Sequence, residues 1–582
     1  MQHPPARCTI AFVRAVSLAA ILLALAAGAC TRAQHSAPAR GPLPSVLLVT
    51  IDTLRADRVG AYGDAQARTP NLDAIARAGL VFERAYAPAP LTLPSHATLL
   101  TGLQPPQHGV RGNGSFALAA GPATLAEALR VRGLRTAAFV GGFPLSRRFG
   151  LDRGFEHYDD RMEKSPGLHF DFAERRAPEV VAVARGWLAQ TAGPVFVWVH
   201  LFDPHAPYDP PPAYAGSDPY RGEIAAVDAA VGGLLEAWDA RPGSSFVAVT
   251  ADHGEAFGEH GEESHSLFVY DTTLHVPLIL RGPGVRARRE TKAVGLADVG
   301  ATLLARVGGE GPPLPGRDLV APVAPRPLYA ETLAPRLDFG WSDLRSWRDG
   351  RYKLIRAPRP ELYDVESDPG ETRDLAKADP QRAAALDGAL GLALEEMGER
   401  ETQRAPDPEA AERLRALGYA QGPGGAGSGA DPKDRVEVAL AIAQATGPFP
   451  DALSAARAYE AIVVRDPQNP LVNFRLADAL LRAGRPDRAL PYFKRVADAG
   501  PRSADPLVGL ATAYAQLDRM DDARAALERA LALEPANGQA HYNLGEIARA
   551  RGDAPGARAA YEAALRDPVT RDRAAARLQA IR

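Results

Sequence analysis

Four residues of types that can hold a divalent cation or attack an ester stand out along the chain: Asp52, Thr92, Asp252 and His253. Two apolar, β-branched runs, Ser45–Ile51 and Phe246–Ala251, each stop at an acid, the second in Asp252-His253-Gly254. Carboxylates together with an imidazole form a donor set that Mn²⁺ or Zn²⁺ accepts. Thr92 stands two residues before Pro94-Ser95, and the apolar run that follows is closed by Gly102, so Pro94–Thr101 reads as a short helix. A helix start offers unpaired N–H groups and a positive dipole end, which suit an anionic ester. One divalent cation could gather Asp52, Thr92, Asp252 and His253 and ease the loss of the Thr92 proton, making that oxygen a nucleophile. Taken singly, an Asp after a strand is equally a turn residue.

The elements that must position these residues follow from periodicity. Buried strand patterns at Ser45–Ile51, Arg135–Val140, Val195–Leu201 and Phe246–Ala251 alternate with helical patterns. The helices are expected at Pro70–Ala78, capped by Thr69 and ended by Gly79, at Ala123–Arg132 and at Pro178–Thr191. This is the α/β pattern of a mainly parallel sheet flanked by helices, in which ligands bind beyond the carboxyl ends of the strands. Asp349-Gly350 between extended arms adds a hairpin signal in the region Pro327–Leu375.

The chain has 582 residues, too many for one core. Its 70 acidic and 67 basic residues nearly cancel, so neither nucleic acid nor an anionic membrane surface is indicated as a partner. The only cysteines are Cys8 and Cys30, which leaves no cysteine metal cluster or disulfide framework for the body of the protein. Arg7 and Arg14 precede the apolar run Ala15–Ala27, which reads as a secretory signal. Ala27-Gly28-Ala29-Cys30 resembles a bacterial lipobox, and the expectation is an exported protein, periplasmic or anchored through a lipid on Cys30, with Thr31–Pro44 as tether. A catalytic domain over 44–395 and a linker over 396–432, flexible at Gln421–Pro432, are expected. After them, from 433, Pro467, Pro501 and Pro535 are 34 residues apart, as are Ala455, Ala489, Ala523 and Ala557. Tyr459, Phe493, Leu527 and Tyr561 keep the same step. This resembles tetratricopeptide repeats, an all-α solenoid whose groove binds a protein or peptide partner, with three clear repeats and a degenerate first one.

Thr92-Leu93-Pro94-Ser95-His96-Ala97-Thr98-Leu99-Leu100-Thr101-Gly102 resembles the signature of the sulfatase family in the alkaline phosphatase superfamily. Thr92 stands where that family oxidises Cys or Ser to formylglycine, His96 where it has Arg, and Thr53 where it has a second Asp. His200–Tyr208 (HLFDPHAPY), Asp252–Gly254, Gly258–Gly261, His265 and Val276–Ile279 follow the family's order. The resemblance implies an alkaline-phosphatase-like fold with a small C-terminal antiparallel subdomain, and one divalent metal. Mn²⁺ or Zn²⁺ is favoured over Ca²⁺ or Mg²⁺ because His253 replaces an oxygen ligand. It also implies His205 and His265 as general acid and base, with His200, Asn113 and Arg111 as substrate contacts; Arg111 and Asn113 read equally well as loop residues.

A threonine cannot give the formylglycine aldehyde, so the leading expectation is a metal-dependent hydrolase of phosphate esters or diesters acting through Thr92. Hydrolysis of sulfuric esters is the alternative. A repeat-based binding scaffold with an inactive catalytic domain is the alternative of another class.

Overall fold

The computed structural model describes residues 43–162, 174–322, 324–400, 402, 413–414, 422–445 and 449–581. The secretory signal, the Cys30 lipid site and nearly all of the tether lie outside them. Among the described residues no helix is long and apolar enough to cross a membrane.

One large sheet carries β1 (Ser45–Ile51), β2 (Leu80–Tyr86), β3 (Arg135–Val140), β4 (His157–Asp159), β5 (Val195–Leu201), β6 (Ser245–Ala251), β7 (His275–Arg281), β8 (Arg288–Glu290) and β9 (Val294–Gly295). Their order is β4-β3-β5-β1-β6-β7-β2-β8, with β9 against β2. β1 runs parallel to both of its neighbours, β5 and β6. Only β7 among these runs opposite to its neighbours. β1 and β5 are buried along their whole length, which is why both read as unbroken apolar runs. Helix Thr92–Thr101 packs on helix Ala297–Val307, and Ala177–Gln190 packs on Pro219–Asp239.

The register does the positioning. Ile51 pairs with Leu201 on one side and with Ala251 on the other, so Asp52 and Asp252 leave the sheet at the same level. His200 lies opposite Thr50, one step inside that level.

A second, antiparallel sheet holds β10 (Leu328–Thr332), β11 (Leu344–Asp349), β12 (Tyr352–Arg356) and β13 (Glu361–Asp364), with the Asp349-Gly350 hairpin where the sequence places it. Asp271, just before β7, takes ion pairs from Arg348 and Lys353, and the buried Lys353 also reaches Glu371 at 2.7 Å. Leu386, Leu390 and Leu394 of helix Pro380–Met397 cover the small sheet.

Three local expectations change. Helix Pro70–Ala78 is present, but the Thr69 side chain makes no cap; its Oγ1 accepts from the Gly60 N–H at 3.0 Å. The helix expected over Ala123–Arg132 is shorter, Leu125–Val131, because Thr124 and Glu127 close a reciprocal capping box there. The helix expected over Pro94–Thr101 begins at Thr92 itself.

The repeats form antiparallel helix pairs: Pro470–Arg482 with Pro486–Asp498, Asp505–Gln516 with Met520–Leu533, and Gly538–Ala550 with Ala554–Ala564. Ala455, Ala489, Ala523 and Ala557 are buried. The periodic aromatics sit against glycines: a Cβ on Gly509 would stand 2.4 Å from Phe493, and one on Gly545 2.5 Å from Tyr561.

The glycine-rich stretch is not the free linker its composition suggests. The Arg502 N–H donates to Pro423 O at 2.7 Å and the Ala426 N–H to Ala499 O at 2.8 Å, tying the segment to the repeats. The Gly429 N–H donates to Gly340 O at 3.0 Å and the Ser342 N–H to Ala430 O at 2.9 Å, tying it to the segment between the small-sheet strands β10 and β11. Trp341 completes the joint, its Nε1–H donating to Asp466 Oδ2 at 2.7 Å. Glycine permits this: a Cβ on Gly427 would stand 2.3 Å from Gly340 O.

Candidate active site

Side chains alternate along a strand, so Thr50 and Asp52, Trp198 and His200, and Thr250 and Asp252 share one face of the sheet. The fully buried helix Thr92–Thr101 covers that face. His96 joins the two. Its Nδ1 donates to Thr92 O at 2.8 Å, and its Nε2 takes the Thr50 hydroxyl at 3.0 Å; Thr50 Oγ1 in turn accepts from Trp198 Nε1–H at 3.0 Å. A carbonyl can only accept, which fixes the His96 tautomer with the proton on Nδ1.

Around Thr92 the charged side chains crowd together. His253 Nε2 lies 3.6 Å from Asp52 Oδ1 and 3.6 Å from Asp252 Oδ2, and His200 Nε2 lies 3.3 Å from Asp52 Oδ2. Asp252 Oδ1 accepts from the backbone N–H of His253 at 2.9 Å and of Thr53 at 3.3 Å, which turns Oδ2 into the cluster. Thr53 adopts φ 53° there, a conformation that L residues rarely take and that concentrates at functional sites. All of Asp52, Thr92, His96, His200, Asp252 and His253 are buried.

The electrostatics leave room for positive charge. Burial, with the charge of Asp252 next, holds the Asp52 carboxyl well above the usual carboxylate range, although the neighbouring Thr92 hydroxyl favours its ionised form. Burial pushes Asp252 up as well, but His253, with His96 and His200 behind it, holds it low. Burial depresses His96 to about 3 and His200 to about 4, so both imidazoles are neutral at physiological pH. Both Asp52 oxygens, Asp252 Oδ2, His253 Nε2 and both His200 nitrogens are buried with no well-formed hydrogen bond. Each such orphan costs about 1–3 kcal/mol unless a ligand satisfies it. Asp52, Asp252 and His253 offer donor atoms within 4.8 Å of one another. These residues fit a divalent cation, with Thr92 at its edge.

A sulfatase family model matches residues 44–309, the span that builds this sheet and this cluster, and tetratricopeptide-repeat models match 451–504, 480–532 and 508–580. The chain carries a sulfatase-family domain followed by tetratricopeptide repeats. It is 24% identical over 413 residues to the uncharacterized sulfatase YidJ of Escherichia coli, covering 57% of this chain and 83% of that one. It is 24% identical over 436 residues to the Delta 4,5-hexuronate-2-O-sulfatase of Bacteroides thetaiotaomicron, covering 62% and 88%. The crystal structure of the phosphonate monoester hydrolase of Agrobacterium radiobacter superposes with a TM-score of 0.51 and 25% identity, covering 60% of this chain and 95% of that one. Sulfatase-family enzymes are metal-dependent, and the orphaned donors provide the corresponding groups here.

Two further histidines of the sulfatase-family domain stand beside the cluster. The ring centroids of His253 and His265 are 4.6 Å apart, and those of His265 and His205 are 5.2 Å apart. His265 Nδ1 bonds Glu255 Oε1 at 2.9 Å, and Tyr208 donates to Glu255 Oε2 at 2.9 Å. Burial raises the Glu255 carboxyl, but His265 overcomes it and holds Glu255 below its ordinary value. An ionised Glu255 fixes His265 with its Nδ1 protonated, the arrangement of an oriented acid–base histidine. His205 stacks on Phe202 at 4.5 Å and donates from Nδ1 to Ala206 O at 2.7 Å, and burial depresses it to about 3. The ring is therefore neutral, with its proton on Nδ1. The sequence reading did not select Glu255; its place in Asp252-His253-Gly254-Glu255 was the available signal.

The expected substrate contacts divide. Asn113 stands at the start of helix Thr92–Thr101, where its Oδ1 accepts from the Leu93 N–H at 2.9 Å while its Nδ2 is buried without an acceptor. Arg111 is a correction: its guanidinium forms a bidentate pair with the buried Glu331, so its charge is neutralised within the protein. His200, expected to face substrate, has its Nε2 3.3 Å from Asp52 Oδ2.

Proposed function

We propose that this sulfatase-family domain hydrolyses phosphate esters or diesters through a covalent intermediate on Thr92. The observation that carries the reading is the Thr92 hydroxyl, at the first position of a buried helix beside Asp52 and in a residue that cannot be oxidised to an aldehyde. A sulfated threonine has no internal route of release, whereas a phosphorylated one opens by in-line attack of water. The phosphonate monoester hydrolase among the structural neighbours supports phosphorus chemistry on this scaffold. The sulfatases among the relatives support sulfuric ester hydrolysis as the second reading.

In the first half-reaction Thr92 Oγ attacks phosphorus and gives up its proton to His265, the bond from phosphorus to the leaving oxygen breaks, and His265 returns that proton to the leaving oxygen. In the second, water attacks the phosphothreonine and gives a proton to His265, the bond from phosphorus to Oγ breaks, and His265 returns that proton to Oγ, restoring the hydroxyl. Asp52, Asp252 and His253 would hold a cation, Mn²⁺ or Zn²⁺ from the mixed donor set, whose charge favours loss of the Thr92 proton. Asn113 would donate to an ester oxygen from Nδ2, which is buried without an acceptor.

Export, with a lipid on Cys30, and a protein or peptide partner in the repeat groove belong to the same proposal; the apolar run Ala15–Ala27 and the 34-residue period support them. The test is mass spectrometry of the enzyme after incubation with matched phosphate and sulfate esters and Mn²⁺. A phosphorylated Thr92 that turns over, and is lost in Thr92→Ala, is expected. Turnover of the sulfate ester alone would sink the phosphate reading, and no turnover of either would favour the binding scaffold.

A further inference from the structure

The metal-ligand candidates named above leave one buried base unexplained. His200 is fully buried on β5, and neither of its ring nitrogens has a hydrogen-bond partner. Its Nε2 lies 3.3 Å from Asp52 Oδ2, itself without a well-formed bond, and it shares a donor group with Asp252. The neighbouring His96 belongs to that group as well, but both of its nitrogens are engaged, by Thr92 O and by Thr50 Oγ1. The group therefore cannot hold a second cation of its own, and what remains is an imidazole turned towards the first.

We propose that His200 Nε2 is a ligand of the same cation as Asp52, Asp252 and His253, giving two imidazoles, two carboxylates and the Thr92 hydroxyl. Strand alternation supplies the reason: Asp52, His200 and Asp252 lie on one face of three adjacent strands, Asp252 belongs to the donor group of each, and the 3.3 Å from His200 Nε2 to Asp52 Oδ2 joins the two groups, so that a single ion at the strand ends would meet all three. Two imidazoles shift the site towards Zn²⁺, Mn²⁺ or Co²⁺ and away from Ca²⁺, which takes oxygen ligands. The inference rests on the metal dependence in the proposed function.

The experiment is X-ray absorption on the full-length protein, stripped with chelator and reloaded with one equivalent of Zn²⁺, with the Zn²⁺ affinity measured by competition titration. Two coordinated imidazoles are expected in the wild type, one in His200→Gln, and Zn²⁺ affinity at least tenfold weaker in the variant. One imidazole in the wild type overturns the role of His200 and leaves the metal site standing. Failure of the wild type to retain Zn²⁺, Mn²⁺ or Co²⁺ overturns both. The wild-type imidazole count does not depend on whether the variant folds.

Discussion

The Leu93 backbone N–H donates to Asn113 Oδ1 at 2.9 Å, while the same amide leaves its Nδ2 buried and without an acceptor beside Thr92. One side chain thus satisfies an N–H of the first turn of helix Thr92–Thr101 and holds a buried donor, which in the proposed reaction serves the ester. Asn113→Asp retains the acceptor for Leu93 and removes the donor. The expected outcome is a fall in kcat on the order of 10²-fold, comparable with loss of one oxyanion donor, with little change in Tm. Steady-state kinetics beside thermal melts check this; unchanged kcat would reduce Asn113 to a cap.

His108 sets an acid limit on stability. Its Nδ1 accepts from the Val110 N–H at 3.1 Å, which leaves the proton on Nε2, in contact with Thr98 Oγ1 at 3.0 Å. Burial depresses its folded-state value to about 3 from an ordinary 6.5. Between those values the unfolded chain binds a proton that the folded chain does not, so stability falls as pH drops from 6.5 towards 3. The greatest slope is about 1.4 kcal/mol per pH unit for one proton. Tm measured from pH 7.5 to 5 should decline less steeply in His108→Gln than in the wild type; parallel declines would refute it.

The glycine-rich strap predicts a rigid joint between the two parts of the chain. Gly427→Ala places a Cβ 2.3 Å from Gly340 O. The expected cost is about 1–3 kcal/mol of overpacking, relieved by release of the strap. Limited proteolysis with a protease of broad specificity should then cut within 422–431 faster than in the wild type, with the fragment pattern of the large sheet unchanged. Equal cutting rates would mean the joint is not fixed in solution.

Removing the cation should destabilise the sheet domain selectively. A ligand at a hundred times its Kd stabilises by about 2.7 kcal/mol. Chelation should lower the melting transition of the sulfatase-family domain and leave that of the repeats in place. Calorimetry with and without chelator reads both, and coincident curves would argue against a bound metal.

Much of the architecture was legible because it is written locally. β1, β3 and β5 match their apolar runs residue for residue, and the 34-residue period marks the helix contacts at Ala489, Ala523 and Ala557. Asp52 and Asp252 were legible as chemistry because parallel strands end where ligands bind. Thr69 was misread as a cap because Gly60, nine residues earlier, takes its hydroxyl.

What the tertiary structure alone decided are the partners distant in sequence. Arg111 meets Glu331 across 220 residues, and no local pattern separates such a pair from an arginine aimed at substrate. His200 reads with His205 along the chain, yet strand alternation and register turn it towards Asp52. The strap is flexible by composition, but glycine also permits the closest backbone approach, and Gly427 lies on Gly340. The sequence by itself determined the elements and the residue types at their ends, since periodicity and turn chemistry act over a few residues. Only folding decided which of those residues share a site, since register, packing and burial join segments that the chain keeps far apart.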